Sequence, residues 1–235
     1  MKQASVIVFD LDDTLYLERD YALSGFRAAA LWFQKEIGIV GFEEICLARF
    51  NSGQRSKIFN DAVKELDVRG DRKIVERLVE VYRNHSPNIS LTEDSSKFFA
   101  NALGGRRHAL ITDGQSSTQR AKVNSLGLDR FLDCIIYTGD WGPEYWKPHP
   151  RSFETIERHF GLNSQSLAYI ADNPVKDFVT PKARGWWTVQ IARPERVHVV
   201  SAPSDEHRAH ATIGSLDILE ECLAHLIQNY SRAPT

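Results

Sequence analysis

Three carboxylic acids follow directly on an apolar run near the start of the chain. The stretch VIVFDLDDTL contains Asp10, Asp12 and Asp13 in quick succession. Carboxylates this close repel one another, and the repulsion grows in the low dielectric of a protein interior. Either water around a surface turn or a bound cation must offset that cost. On the first alternative, Asp13 or Thr14 merely caps a helix. On the second, the acids are available as cation ligands, nucleophiles and proton carriers.

Other polar residues follow the later apolar runs in the same way. In a parallel sheet, ligands bind outside the carboxyl ends of the strands, so residues distant in sequence converge there. The residues expected to meet Asp10 and Asp12 in one cleft are Thr112 and Asp113 in ITDG, Lys147 in WKPHP, and Asp172 and Asp177 in ADNPVKD.

Short apolar runs alternate with amphipathic stretches, and this pattern predicts an α/β protein with a parallel sheet. The runs are nearly continuous, as in strands covered by helices on both faces. The predicted strands are Ser5–Asp10, Arg107–Asp113, Cys134–Gly139, Ser166–Asp172 and Trp186–Ile191. The predicted helices are Ser95–Leu103, Ser116–Leu126, Pro150–Phe160, Pro174–Arg184 and a closing helix at Leu216–Ile227, after a loop at Arg193–His210.

One long interval between the first two strands breaks this alternation. From Tyr16 to Leu91 only helical periodicity is found, as in Phe26, Ala29 and Phe33. Such an interval is far longer than an ordinary crossover connection. We therefore predict a Rossmann-like core of residues 1–15 and 92–235, with an inserted all-helical cap domain of residues 16–91.

The four motifs DLDDT, ITDG, KPHP and ADNPVKD, in this order, resemble the haloacid dehalogenase superfamily of phosphotransferases. The resemblance covers nearly the whole chain and fits the branch whose helical cap is inserted just after the first motif. It implies an aspartyl-phosphate mechanism in which Asp10 is the nucleophile and Asp12 the general acid and base. It further implies that Thr112, Asp113, Gly114 and Lys147 bind the phosphate group.

The same resemblance implies a Mg²⁺ ion bound by Asp10, Asp172 and the backbone carbonyl of Asp12. Asp177 would support the metal site, through water or by positioning Lys147. Four ionised carboxylates with a single lysine would repel a phosphate dianion, and a divalent cation reduces that excess of negative charge. Asp13 is expected to be structural.

These residues predict a Mg²⁺-dependent phosphatase for a small phosphorylated metabolite. A sugar-phosphate mutase also has the acid at Asp12 and remains open. A haloacid dehalogenase is disfavoured, because such enzymes generally lack an acid two residues after the nucleophile. A phosphate-binding module without catalysis is disfavoured because Asp10, Asp12, Thr112, Lys147 and Asp172 are all present.

Composition limits the classes of binding partner and the cellular compartment that we expect for this protein. The formal net charge is −2 with no long basic run, which argues against nucleic acid as a partner. No apolar stretch reaches the ~20 residues that span a bilayer, and no signal peptide is evident. Cys46, Cys134 and Cys222 fit neither a disulfide framework nor a metal cluster. We expect a cytoplasmic protein with reduced thiols, and the sequence leaves its oligomeric state open.

Two further features near the motifs are left open by the sequence. Trp141, Tyr145 and Trp146 either form an aromatic wall beside the cleft or pack their loop against the core. Glu18, Arg19 and Tyr21 lie just past the first motif, where cap residues could contact a substrate.

Overall fold

The computed structural model describes residues 4–68, 72–101, 106–162 and 164–230. Within these residues, six strands form one sheet in the order β3-β2-β1-β4-β5-β6, and every neighbouring pair is parallel. The strands are β1 (Val6–Phe9), β2 (Arg107–Thr112), β3 (Cys134–Tyr137), β4 (Leu167–Ala171), β5 (Trp187–Ile191) and β6 (Ala211–Ile213).

Both faces of the central strands are covered by helices, which explains the continuous apolar runs. All four residues of β1 are buried. Val8 belongs to the same apolar cluster as Phe153 of helix α7 (Arg151–Phe160). Phe9 points the other way and packs edge-on against Phe98 of α5 (Glu93–Asn101), with ring centroids 5.5 Å apart. The predicted Rossmann-like parallel sheet flanked by helices is confirmed.

Glycines end two of the predicted helices as expected. Helix α6 (Ser116–Leu126) ends at Gly127, and α7 ends at Gly161, both with φ near +60°. A residue in the left-handed region lets the chain turn back towards the sheet at little steric cost only when it lacks a Cβ. These stops set the lengths of the helices that precede β3 and β4.

The helix predicted at Pro174–Arg184 is wrong over its first half, because the observed helix α8 comprises only Val179–Ala183. The preceding turn is built by side-chain to backbone hydrogen bonds. The carboxylate of Asp177 accepts from the backbone N–H of Asn173 at 3.0 Å, and Asn173 accepts in turn from Val175. Such bonds compete with helix formation.

The end of the chain also differs from the prediction. Strand β6 follows the polar segment Arg193–His210 and pairs with β5, where Val189 lies beside Ala211. Its three residues are too few to show a strand periodicity. The closing helix α9 covers Leu219–Tyr230. The predicted helix Ser95–Leu103 corresponds to α5, and its last two positions lie outside the described residues.

The chain divides into two compact units, one of Met1–Glu18 with Ser90–Thr235 and one of Arg19–Ile89. In the described part of the second unit, the secondary structure is helical. Its helices are α1 (Glu18–Ile37, whose first residue belongs to the sheet unit), α2 (Phe42–Asn51), α3 (Ile58–Glu65) and α4 (Arg72–Asn84).

Aromatic residues hold the helical unit together. Phe33 of α1 stacks on Phe42 of α2 with ring centroids 4.5 Å apart, and Phe26 packs edge-on against Phe59 of α3. These rings are buried, and burying each contributes roughly 1.5–3 kcal/mol. The described residues include no helix with the length and apolarity needed to cross a bilayer. Cys46, Cys134 and Cys222 are free thiols.

A buried arginine connects separate segments of the sheet unit. The guanidinium group of Arg193 donates to the backbone carbonyl of Thr14 at 2.8 and 3.1 Å and to both oxygens of Asp94 at 3.0 Å. The backbone N–H of Leu216 donates to Asp94 at 2.7 Å. Although burial acts to raise it, the pKa of Asp94 is lowered to about 2 by hydrogen bonds from Thr92 and Leu216 and by Arg193.

Candidate active site

The carboxyl ends of the three central strands bring the polar residues of the sequence motifs together. Strand β1 lies between β2 and β4, and Phe9 is in register with Leu110 and Ile170. Asp10 therefore follows β1 beside the ends of its neighbours, where Thr112 closes β2 and Asp172 follows β4. A cavity of about 380 Å³ opens at this edge of the sheet.

Lys147 lies at the centre of this edge. Its Nζ is 2.6 Å from Oδ1 of Asp10, 2.7 Å from Oδ1 of Asp177, and 2.9 Å from the hydroxyl of Tyr169. The side chain of Lys147 is fully buried, which alone would lower its pKa. The two carboxylates outweigh that effect and hold the pKa well above its usual value, so Lys147 is a fixed cation.

Asp10, Asp172 and Asp177 form a cluster with the properties of a cation site. Oxygen atoms of the three buried carboxylates lie within 4.8 Å of one another. Burial, followed by the charges of Asp10 and Asp177, raises the pKa of Asp172 well above its usual value. Burial also raises the pKa of Asp10, to about 6, although Lys147 opposes this. Hard divalent cations prefer such oxygen ligands, so the donor set fits Mg²⁺.

The carboxylate of Asp12 is held by three side chains. Its Oδ1 accepts from Lys122 Nζ at 2.7 Å and from the hydroxyl of Tyr16, and its Oδ2 accepts from Gln119 Nε2 at 3.0 Å. Burial alone would raise the pKa of Asp12, but Lys122, Tyr16 and Gln119 together lower it. Sequence reasoning did not select any of these three partners.

The loop after β2 is organised by Asp113. Its Oδ1 accepts from the hydroxyl of Thr138 at 2.8 Å and from the backbone N–H of Lys147 at 3.2 Å, and its Oδ2 is 3.1 Å from Lys176 Nζ. Burial opposes ionisation, but Lys147 and Lys176 lower the pKa of this carboxyl group. The carboxylate therefore orders the loop, and a phosphate contact at Asp113 would come from its backbone N–H.

Gly114 continues this loop with φ at +118°, a conformation that disfavours residues with a side chain. Gly139 approaches it so closely that a Cβ at Gly139 would lie 2.1 Å from the carbonyl oxygen of Gly114. Glycine is thus required at both positions to keep the backbone of the Thr112–Gly114 loop beside the cavity.

Asp13 and Glu18 have different surroundings although both follow the first motif. The two oxygens of Asp13 accept from the backbone N–H groups of Glu18 at 2.9 Å and Val197 at 2.6 Å, so its carboxylate shapes the loop. Glu18 lines the cavity, with a carboxylate oxygen 3.5 Å from His198 Nε2. Burial and the neighbouring Asp12 raise the pKa of Glu18 to about 8.

The aromatic loop before Lys147 divides between two environments. Trp146 is 40% exposed and lines the cavity. Trp141 and Tyr145 instead hold the guanidinium group of Arg151 between them, 4.5 Å from each ring centroid. One of the three rings therefore borders the cavity, and the other two form a cation–π contact at the start of α7.

The residues that sequence reasoning missed lie on polar stretches. Gln119 and Lys122 stand three positions apart on α6, directly after the ITDG motif, and so share one helix face. Their position on one helix face, soon after the motif, could have indicated from the sequence that they lie near the site. Lys176, in NPVKD, lines the cavity beside Asp113 and supplies a further cation there.

The chain matches the family model described as haloacid dehalogenase-like hydrolase over residues 7–191. This match covers most of the sequence, and it includes all four motifs. The chain belongs to the haloacid dehalogenase-like hydrolase family, as the motifs predicted.

Relatives of this chain include enzymes with two kinds of chemistry. A glyceraldehyde 3-phosphate phosphatase of Methanocaldococcus jannaschii is 26% identical, over 94% of this chain and 97% of its own length. A phosphoserine phosphatase of Thermus thermophilus is 28% identical, over 81% and 90% respectively. A haloacetate dehalogenase of Moraxella sp. is 26% identical, over 82% and 88%.

Solved structures share the fold at lower sequence identity. The hydrolase YfnB of Bacillus subtilis, determined with bound magnesium, has a TM-score of 0.66 and 18% identity, covering 94% of this chain and 99% of its own. The likeness extends over nearly the full length of both chains and places the parallel sheet in the same architectural class.

Proposed function

We propose that this protein is a Mg²⁺-dependent phosphatase that hydrolyses a small phosphorylated metabolite through an aspartyl-phosphate intermediate. The observation that carries the proposal is the arrangement of two acids in one cavity. Asp10 is clustered with Asp172 and Asp177, whereas the carboxylate of Asp12, two residues later, accepts a hydrogen bond from Lys122 and is not part of that cluster. Phosphoryl transfer through an aspartate needs one acid as the nucleophile and a second acid as the proton carrier. The different surroundings of Asp10 and Asp12 suit these two roles.

In the proposed reaction, a carboxylate oxygen of Asp10 attacks phosphorus and the bond to the leaving oxygen breaks. Asp12, in its protonated form, donates a proton to that oxygen, which leaves as an alcohol. Asp12 then takes a proton from water as the water oxygen attacks phosphorus. The bond between phosphorus and Asp10 breaks, which releases inorganic phosphate and restores both side chains.

Binding of the transferring phosphate is assigned to the loop after β2 and to the lysines beside it. Thr112 is buried, its Oγ1 lies 2.7 Å from Nε2 of Gln119, and its hydroxyl would donate to phosphate. The backbone N–H groups of Asp113 and Gly114 would add further donors, and Lys147 and Lys176 would offset the negative charge.

Mg²⁺ is the proposed cofactor, and Asp10, Asp172 and the backbone carbonyl of Asp12 would hold it. Asp177 would support this set by fixing Lys147 at 2.7 Å. When bound, the ion would neutralise part of the acidic cluster and polarise a phosphate oxygen. The helical unit is proposed to act as a cap that excludes water from the reaction.

The test is phosphate release by the purified full-length chain with Mg²⁺ over a panel of phosphomonoesters. The panel includes p-nitrophenyl phosphate, phosphoserine and glyceraldehyde 3-phosphate, the last two being the substrates named for two relatives. Asp140→Asn serves as the matched control, because Asp140 pairs with Arg120 on the surface and not with the cavity. We expect release by the wild type and by this control.

Other outcomes of the same experiment would replace the proposal. Halide released from haloacetate without added metal, and no phosphate from any ester, would identify a dehalogenase. Isomer formation that requires a bisphosphate primer would identify a mutase. A folded protein that binds phosphate but turns over no ester would identify a binding module.

A further inference from the structure

Two buried polar side chains on helix α6 contact the carboxylate of Asp12. Gln119 is 3% exposed and Lys122 is 5% exposed, although both belong to an otherwise polar helix. A buried lysine is strongly unfavourable unless its charge is paired. The carboxylate of Asp12, 2.7 Å from Lys122 Nζ, provides that pairing from a residue 110 positions away. Lys122 is thus a lysine whose burial is energetically unfavourable, and it contacts Asp12, the proposed general acid and base.

The two oxygens of Asp12 have different partners. Oδ1 accepts from both the Lys122 ammonium group and the Tyr16 hydroxyl. Among the described residues, Oδ2 accepts from a single donor, the Gln119 amide at 3.0 Å. A carboxylate oxygen has room for about two strong hydrogen bonds. Oδ1 is therefore saturated, whereas Oδ2 retains a lone pair that can carry a proton.

Gln119 also ties Asp12 to the loop that is proposed to bind phosphate. Its Nε2 is 2.7 Å from Thr112 Oγ1 and 2.7 Å from the backbone carbonyl of Asp113. The carboxylate and the carbonyl are acceptors, so the amide must turn its N–H₂ group towards them. One side chain thus fixes the distance between the acid and base and the phosphate loop.

We propose that Lys122, Gln119 and Tyr16 are positioning residues that lock the carboxylate of Asp12 and leave its Oδ2 as the oxygen that transfers the proton. This inference rests on the proposed phosphatase function. In the first step Oδ2–H gives its proton to the leaving oxygen as the phosphorus–oxygen bond breaks. In the second step Oδ2 takes a proton from the attacking water, and phosphate leaves Asp10.

Two other roles for Lys122 give different kinetics. If Lys122 bound the substrate, its removal would raise KM and leave kcat unchanged. If Lys122 were only a packing residue, its removal would lower stability by the same amount whether or not Asp12 was present. A positioning role predicts a loss in kcat that depends on Asp12.

The experiment is a double-mutant cycle with Lys122→Met, Asp12→Asn and the double variant. Kinetics are measured with Mg²⁺ on p-nitrophenyl phosphate and on an alkyl ester from the substrate panel, and urea unfolding is measured with a chelator. Arg120→Met is the control, since Arg120 is on the same helix but pairs with Asp140 on the surface.

We expect Lys122→Met to lower kcat for the alkyl ester about 10- to 100-fold, which is part of the roughly 10²- to 10⁴-fold that general acid–base catalysis contributes, with KM changed by less than about twofold. The loss should be smaller for p-nitrophenyl phosphate, because its leaving group needs less help from an acid. In the Asp12→Asn background, Lys122→Met should cause no further loss of kcat. The change in the urea midpoint should also be smaller there than in the wild-type background, since the ion pair with Asp12 is already broken.

Other results would overturn the inference. Equal fold losses in both backgrounds, or equal changes in the urea midpoint, would show that Lys122 acts independently of Asp12. A rise in KM at constant kcat would identify a substrate contact. If the wild type releases phosphate but the cycle is additive, the positioning role fails and the phosphatase function stands. A wild type that is inactive on the whole panel overturns both.

Discussion

The ammonium nitrogen of Lys147 lies 2.6 Å from Oδ1 of Asp10, although the two residues are 137 positions apart. Both side chains are almost entirely removed from solvent. Lys147 therefore balances the proposed nucleophile in the resting protein, and Asp177 shares the same cation. The charges in the cavity thus contribute to the stability of the folded protein. Single substitutions of these residues should change both the net charge of the cavity and the free energy of unfolding.

Lys147→Met should abolish phosphatase activity and lower the free energy of unfolding by about 3–5 kcal/mol, because it leaves buried carboxylates without their cation. Urea unfolding with a chelator at pH 7 measures this loss. The double variant Lys147→Met/Asp177→Asn should recover part of it, since one of the two uncompensated charges is then removed. Lys97→Met, which breaks a surface pair with Glu93, is the control and should unfold like the wild type. A double variant no more stable than Lys147→Met would contradict the coupling.

Asp10→Asn should reduce phosphate release by at least about 10³-fold, since the amide cannot act as the nucleophile. The substitution conserves volume, so the circular dichroism spectrum should stay close to that of the wild type, although the thermal midpoint should change with the lost charge. Turnover within about tenfold of the wild type would rule out Asp10 as the nucleophile, whatever the effect on stability.

Much of this fold and part of the site follow from local sequence patterns. The apolar runs of β1 and β4 predict buried parallel strands, and polar residues directly after such runs predict a shared site edge. Asp10, Thr112 and Asp172 were predicted in this way, and the structure places them at the carboxyl ends of β1, β2 and β4. The three-residue strand β6 and the side-chain turn at Asn173 were not predicted, because neither gives a periodic pattern of apolar residues in the sequence.

The partners of Asp12 show why other site residues could not be found so easily. A lysine in a polar helix such as α6 is ordinarily solvated. The position of Lys122 on one helix face with Gln119, soon after the ITDG motif, is a signal of nearness to the site but not of burial. Its burial is compensated by a carboxylate that tertiary folding brings to it. Pairings of this kind depend on how α6 packs beside the end of β1.

Asp172→Asn should abolish stabilisation by Mg²⁺ and make the metal-free protein more stable at pH 7. Folding raises the pKa of Asp172, so the native state binds more protons than the unfolded chain. The stability that this group contributes is complete below the ordinary value of 3.8 and is lost as pH rises through the raised pKa, so the buried acid disfavours folding at higher pH. Neutral Asn removes that penalty together with a metal ligand.

Thermal unfolding of the wild type and Asp172→Asn, with and without Mg²⁺, measures both effects. Ca²⁺-free buffer and a chelator define the metal-free state. The wild type should gain stability with Mg²⁺ in proportion to the logarithm of its concentration at saturation, and the variant should not. An equal gain in both proteins would exclude Asp172 as a ligand.

The pair of Arg193 and Asp94 should give the sheet unit a different dependence on pH. Folding lowers the pKa of Asp94 to about 2, so its contribution is complete above the ordinary value of 3.8 and is lost as pH falls from about 4 towards 2. We expect this contribution to be about 1.5 kcal/mol, after allowance for screening by solvent. Asp94→Asn should cost about 2–4 kcal/mol at pH 7, because Arg193 keeps its charge but loses its counter-ion.

Urea unfolding of the wild type and Asp94→Asn between pH 2.5 and 7 tests this prediction. The difference in unfolding free energy between the two proteins should be constant at neutral pH and should shrink below about pH 4. Asp205→Asn is the matched control, because Asp205 pairs with Arg208 on the surface. A difference that stayed constant down to pH 2.5 would mean that Asp94 stabilises the fold by packing alone. Because Arg193 also holds the carbonyl of Thr14, Asp94→Asn should lower kcat as well, through the loop that carries Asp10 and Asp12.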